Sequence, residues 1–224
     1  LQGARFVHDL TREALLARSP ATLRRVIDAG VARHGQAALG AHRVAAHAWA
    51  AGLEAEAVEA TLQASLKDRE LGLIDEAQAM LAAAIVRTTD ALRRARLELE
   101  AAECAETGGD LARADAHVQA VLERTGDPKL HALALAVRVV VFYNQGQLGR
   151  ARQLADDIAV LDPDWPDRHT IGGKLAYGAG DFAAAIAHMR AHVALLRTRG
   201  PSADLASALS GLATAMAGQG QLAD

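Results

Sequence analysis

Two histidines at the spacing of one helical turn are the residues of this chain that most resemble a metal site. His188 and His192 are four residues apart, so a helix would place both imidazoles on one face, where they can ligate a metal ion. No HExxH pattern occurs around them, and no third ligand is evident. We therefore expect two half-buried polar positions and no metal. A histidine-containing metalloenzyme stays open as an alternative.

Motifs for nucleophilic catalysis and for phosphate binding are missing from the 224 residues. The chain contains no G-x-S-x-G and no G-x-x-x-x-G-K-[ST]. The glycine pairs in TGGD (107–110) and IGGK (171–174) lie in helical contexts without the strand that precedes a phosphate loop. Two Trp, two Tyr and three Phe offer little to line a catalytic cleft. The sequence predicts a non-enzymatic protein without a cofactor.

Charge and composition limit the partners and the compartment. The formal net charge is −3, whereas nucleic-acid-binding domains usually carry a basic surplus, so we expect no direct contact with DNA or RNA. No apolar run is long enough for a transmembrane helix, and we expect no membrane partner. Cys104 is the only cysteine, which fits a reducing compartment and predicts a cytoplasmic protein.

The elements that must position any site are Ala- and Leu-rich segments separated by short turns. Hydrophobic residues make up 51% of the chain and aromatic residues only 3%, which favours an all-α protein with closely packed helices. N-caps followed by proline, as in Ser19-Pro20 and Asp127-Pro128, help to set the boundaries. We predict helices at about 9–17, 20–34, 37–51, 54–70, 74–87, 90–107, 111–124, 129–145, 148–161, 166–179, 182–198 and 202–218.

One turn pattern recurs along the chain. It consists of glycine, a polar residue, a large apolar residue, two variable residues and alanine, as in GDLARA (109–114), GQLGRA (146–151) and GDFAAA (180–185). With Gly220 included, the glycines are 37, 34 and 40 residues apart (146 − 109, 180 − 146, 220 − 180). The glycine can end a helix in the left-handed conformation. The apolar residue can plug the hairpin end, and the alanine permits close approach.

Weaker copies of the same turn occur earlier, at GLEAEA (52–57) and GLIDEA (72–77). Their glycines, Gly52 and Gly72, are only 20 residues apart (72 − 52). The segment 54–70 would then serve as the second helix of one hairpin and the first helix of the next.

Periods of about 34 residues are typical of helix-hairpin solenoids, and the segment 132–163 resembles a tetratricopeptide (TPR) repeat. It carries Phe142 four residues before Gly146, then Ala151, and it ends on VLDP. The following unit has Gly173 where the family prefers glycine, although Ala176 stands where an aromatic residue is usual. The resemblance implies an all-α, right-handed superhelical solenoid of antiparallel helix hairpins. It is good over about 90–224 and weaker over 37–89.

The opening RFVHDLTREALL (5–16) fits no repeat. It resembles the segment that ends the winged-helix part of large ATP-binding LuxR-type regulators and related STAND ATPases, through Phe6, His8, Leu10, Arg12, Glu13 and Ala14. A Leu/Arg-rich helix at 21–35 and HAWAAGLEAEAVEAT (47–61) follow in the same order as in that family. The resemblance implies a winged-helix-like end with linker helices at 1–36. TPR-like repeats would fill 37–224 and be cut off at the C-terminus.

In TPR proteins, residues three and six positions before each turn glycine tend to face the concave groove. By this resemblance the partner-binding residues are Glu103, Glu106, Tyr143, Lys174 and Tyr177, with Asn144 beside them, while Val140, Thr214 and Ala217 hold equivalent positions. Tyrosine suits recognition because its ring is apolar and its hydroxyl is polar. The other interpretation is that both tyrosines only cover seams between hairpins.

Three functional hypotheses follow. The first is a non-catalytic sensor or interaction module of a multidomain bacterial transcriptional regulator, which binds a protein, a peptide, a small effector or its own ATPase domain. The second is a free-standing TPR scaffold, and the third is the metalloenzyme with a histidine site. Solenoids have open ends, so a homodimer through residues 202–224 is also compatible with the sequence.

Overall fold

The computed structural model describes residues 21–34, 36–161, 165 and 168–220, and within this part the protein contains helices and no strand. In chain order the helices are α1 (Ala21–His34), α2 (Gln36–Ala51), α3 (Glu54–Glu70), α4 (Ile74–Arg87), α5 (Ala91–Thr107), α6 (Leu111–Arg124), α7 (Pro128–Asn144), α8 (Leu148–Leu161), α9 (Arg168–Gly178), α10 (Phe182–Arg197) and α11 (Ala203–Gly218). None of these helices combines the length and the apolar character that crossing a membrane requires.

The predicted helices from 20–34 onward are confirmed, with ends within two residues of those observed. One correction concerns α2, which we expected to be a continuous helix. The backbone at Gly40 is non-helical (φ 71°, ψ 158°), so two helical segments meet there at a kink. The predicted helix 9–17 and the winged-helix-like motif at 5–16 lie outside the described residues.

The recurring turn has one geometry at five places in the described chain. At Gly52, Gly72, Gly109, Gly146 and Gly180 the glycine has φ between 73° and 80°. The residue after each glycine donates its N–H to the carbonyl five positions earlier at 2.8–2.9 Å, and the glycine N–H bonds the carbonyl three positions earlier. This is the Schellman motif, which satisfies carbonyls at the end of a helix. The weak copies at 52 and 72 are therefore the same turn as the strong ones.

The alanine five residues after the turn glycine is fully buried in every copy. Ala57, Ala77, Ala114, Ala151 and Ala185 each have 0% exposure. The structure thus confirms that this alanine lies in a close helix contact.

In the turns at Gly146 and Gly180, the large apolar residue two positions after the glycine reaches the following hairpin. A Cβ added to Gly178 would lie 3.3 Å from Leu148 Cδ2, and one added to Gly218 would lie 2.6 Å from Phe182 Cε1. Leu148 and Phe182 therefore each lie against a glycine that is two positions before the next turn glycine. Leu222, the apolar residue two positions after Gly220, lies outside the described residues.

The chain divides into two compact units, Leu1–Glu100 and Ala101–Asp224, and the boundary falls within α5. In the first unit α1 packs against α2, α2 against α3, and α3 against α4. The predicted double role of α3 is thereby confirmed. Small side chains fill this core, including Ala32, Ala48 and Ala57 beside Trp49. The domain boundary predicted at 36/37 stays a prediction.

In the second unit each helix from α6 to α11 packs against the next, and α7 also contacts α9. One cluster of buried side chains joins α7, α8 and α9 through Ala136, Val139, Ile158, Ile171 and Leu175. The all-α class and the packing of consecutive helices are those of a helical repeat protein.

Candidate functional site

The two acidic residues of α5 that were predicted to bind a partner are half-buried, and one of them is hydrogen-bonded to α7. Asn144, exposed at the end of α7, donates from Nδ2 to Glu106 Oε1 at 2.8 Å. Glu103 lies one turn earlier on α5 and is also half-buried. The structure thus brings Glu106 and Asn144 together as a hydrogen-bonded pair. Whether they contact a partner stays a prediction.

The two predicted tyrosines have different surroundings. Tyr143 is half-buried, and a Cβ added to Gly178 would lie 2.8 Å from its Cε2 atom, so its ring lies against α9. Tyr177 is 38% exposed and packs edge-to-face on Phe182, with ring centroids 5.4 Å apart. Tyr143 therefore covers a seam between helices, while much of the Tyr177 side chain is open to solvent.

Lys174 is the predicted site residue that lines a cavity. The cavity has a volume of about 430 Å³ and lies between α9, α10 and α11. Its polar lining comes from Thr170, Lys174, His192, Arg199, Asp204 and Ser207. Within the described residues, neither Lys174 nor Arg199 has an ion-pair partner within 4.0 Å. The cavity therefore offers an incoming ligand two cations that form no ion pair in the described residues, with the carboxylate of Asp204 in the same lining.

Apolar side chains line the rest of this cavity. They come from Met189, Leu195 and Leu196 of α10 and from Ala208 and Gly211 of α11. A pocket of a few hundred cubic ångströms with an apolar wall and a few polar groups is the usual form of a small-molecule site.

The helices present this lining as stripes at helical spacing. Thr170 and Lys174 are four residues apart on α9, while α11 contributes Asp204, Ser207, Ala208 and Gly211 at successive spacings of three, one and three. The α10 stripe, Met189–His192–Leu196–Arg199, has spacings of three, four and three, and its last member lies two residues beyond the helix end. Only Lys174 of this set was predicted as a site residue. The repeated spacing on α10 was the signal in the sequence that could have revealed the others.

The histidines considered for metal binding have other neighbours. The His188 ring lies over Gly172, where an added Cβ would be 2.6 Å from its Cε1 atom. His192 Nε2 forms a 3.1 Å hydrogen bond with Thr170 Oγ1, and no residue in the described part of the chain bonds its buried Nδ1. In the described part of the chain no group of three or more His, Cys, Asp or Glu side chains is arranged to hold a metal ion.

A third histidine extends this cluster. His169 lies 5.8 Å from His188 between ring centroids, and its buried Nδ1 has no hydrogen-bond partner among the described residues. Burial, followed by the charges of Arg168, His188 and His192, lowers the His169 pKa below its usual value. Arg168 Nε also donates to His169 Nε2 at 3.3 Å, and only the neutral ring offers that acceptor. Electrostatics therefore favour a neutral ring on α9.

Several polar side chains of the first unit are hydrogen-bonded to one another across its helices. His47 Nδ1 lies 2.7 Å from Asp28 Oδ1 in the interior, and His42 Nε2 lies 2.8 Å from Asp68 Oδ2. Trp49 Nε1 donates to Thr61 Oγ1 at 3.2 Å. These contacts hold α1, α2 and α3 together, so they explain packing in this unit.

Comparison with protein-family models gives no match, and comparison with curated protein sequences gives no significant match.

Proposed function

We propose that this chain is a non-catalytic sensor or interaction module of a multidomain bacterial transcriptional regulator, and that it acts in the cytoplasm. Its helix hairpins would stack into a right-handed, TPR-like superhelix. The observation that carries the proposal is the cavity between α9, α10 and α11, which contains Lys174 and Arg199 without ion-pair partners in the described residues. Repeated turns and close helix contacts supply a scaffold for such a site, because they hold neighbouring helices in fixed register.

The regulatory part of the proposal is supported by the N-terminal motif at 5–16 and its order relative to the repeats. A ligand in the cavity would contact three consecutive helices at once. It can therefore favour one arrangement of α9, α10 and α11 over another. Such differential affinity is what a regulator requires in order to respond to a ligand.

This function is tested in the native organism by comparing transcripts in four strains. One is wild type, one lacks the gene, one carries Lys174→Glu/Arg199→Glu, and one carries the charge-matched control Arg152→Glu/Arg190→Glu on exposed positions outside the cavity. We expect the deletion to change a defined set of transcripts. The cavity variant should change the same set, while the control should match wild type and both variant proteins should accumulate normally.

Two outcomes contradict the proposal. If the deletion changes no transcripts, the chain does not belong to a regulator. If the deletion changes transcripts but the cavity variant matches wild type, the cavity is not the sensing site.

A further inference from the structure

The charged groups of the cavity favour an anion. Lys174 projects from α9, Arg199 follows α10, and Asp204 lies in the first turn of α11. These three groups give the lining a formal charge of +1 (two cations minus one anion). A single carboxylate would neutralise this excess, because charge-assisted hydrogen bonds from lysine and arginine to a carboxylate are the strong ones.

The uncharged lining limits what can accompany that carboxylate. Met189, Leu196, Ala208 and Gly211 form an apolar wall. A fully hydrated ion such as phosphate would leave this wall in contact with water. A ligand with an apolar body would bury it instead, which adds favourable free energy in proportion to the area removed from water.

Fixed polar groups complete the lining. The hydrogen bond between Thr170 and His192 holds one side chain of α9 and one of α10 in place. Ser207 supplies a hydroxyl from α11, and a hydroxyl can donate to a carboxylate oxygen. The volume of about 430 Å³ lies in the range of small-molecule sites.

We propose that this cavity binds a small monocarboxylic acid with an apolar body, the carboxylate lying between Lys174 and Arg199 and the body against Met189 and Leu196. The assignment rests on the proposed sensor function, for which it names the effector class. Asp204 gives the site its specificity for a single carboxylate, because a second negative charge near it would be repelled.

The test measures binding of sodium octanoate and sodium 4-phenylbutyrate to the purified 224-residue chain by calorimetry and by thermal shift. Octanamide and inorganic phosphate are the matched probes for the charge and for the apolar body. We expect both acids to bind and to raise the melting temperature, since a ligand that binds only the folded state stabilises it. Octanamide and phosphate should bind at least about tenfold more weakly, the fold-change expected when one charge-assisted bond is lost.

Three variants of charged cavity residues should change the affinity for octanoate, two by lowering it and one by raising it. Lys174→Gln and Arg199→Gln should each weaken octanoate about tenfold, while Asp204→Asn should strengthen it because a like charge is removed. Arg190→Gln, an exposed position on α10 outside the cavity, should bind as wild type does. All four positions are exposed, so circular dichroism should show folded proteins in each case.

Octanamide binding as tightly as octanoate would overturn the proposal, as would binding of neither acid. Equal affinity for phosphate would assign the site to inorganic anions. Tighter binding of an acidic peptide than of either acid would assign it to a protein partner. If the acids fail to bind while the cavity variant still changes transcripts, the effector class is wrong and the regulatory function stands.

Discussion

At the scale of single residues, a neutral, partly buried histidine beside cations makes stability depend on pH. His169 has a lowered pKa because of burial and of the neighbouring Arg168, His188 and His192. The unfolded chain therefore binds this proton more readily than the folded chain does. As the pH falls through the ordinary histidine pKa, about 6.5, the unfolded state gains stability first, and the free energy of unfolding decreases.

We expect the free energy of unfolding to fall between pH 7.5 and pH 5.5, and to fall less steeply in a His169→Gln variant. Urea denaturation at several pH values measures both slopes. His42 and His47, which contact carboxylates, are present in both proteins, so the difference between the slopes reports on His169. Identical slopes would contradict this prediction.

At the scale of turns, the glycines of the five recurring turns, all with positive φ, have a purely conformational role. A Cβ at Gly180 would meet no atom within 4 Å, yet the backbone there has φ +77°. Any cost of adding a side chain therefore comes from the left-handed conformation and not from a collision.

We predict that Gly180→Ala lowers the free energy of unfolding by about 1–2 kcal/mol. The matched control is Gly149→Ala on α8, where a Cβ also has open space but φ is not positive. This control should be neutral or stabilise the protein by up to about 1 kcal/mol, because alanine is the better helix former. Equal effects in urea denaturation would show that the turn does not require glycine.

Helices and turns could be predicted because their causes are local. Capping residues, prolines and turn glycines act over a few neighbouring positions, and Asp127 before Pro128 indeed accepts from Lys129 N and Leu130 N. The kink at Gly40 was missed because the surrounding alanines continue the helical pattern on both sides. Glycine inside an alanine-rich segment does not by itself indicate whether the helix continues.

The cavity could be predicted only in part. Lys174 was found because it holds a repeated position before a turn glycine. The presence of Arg199 and Ser207 in the cavity depends on how α10 and α11 pack against each other. That packing is a tertiary property, which the local sequence does not reveal. The surroundings of Tyr143 could not be predicted for the same reason, because its position before Gly146 does not reveal that its ring lies against Gly178.

At the scale of the whole molecule, the division at residue 100 places one tryptophan in each unit. Trp49 is in the first unit, with the Arg87 guanidinium 4.5 Å from the centre of its ring. Trp165 is buried in the second unit. Because the chain has two tryptophans, each single-tryptophan variant reports on one unit.

We predict that Ala151→Leu destabilises the second unit by about 1–3 kcal/mol, because it overpacks a fully buried position. In a Trp49→Phe background, the unfolding transition followed by Trp165 fluorescence should then have its midpoint at a lower urea concentration. In a Trp165→Phe background the Trp49 midpoint should stay the same, since repeat proteins can unfold in parts.

The control is Ala159→Leu, an exposed position on the same helix, which should shift neither midpoint by more than about 0.5 kcal/mol. A common shift of both tryptophan signals would mean that the two units unfold as one.

The uniform turn geometry has a genetic consequence. Spacings between successive turn glycines vary from 20 to 40 residues (72 − 52 and 220 − 180), whereas the conformation of the turn is the same in each copy described. A crossover between two copies of the gene at these glycine codons would exchange, add or remove a whole hairpin and recreate an intact turn at the junction. Crossovers at these glycine codons would therefore give chains of different length without requiring a new loop sequence.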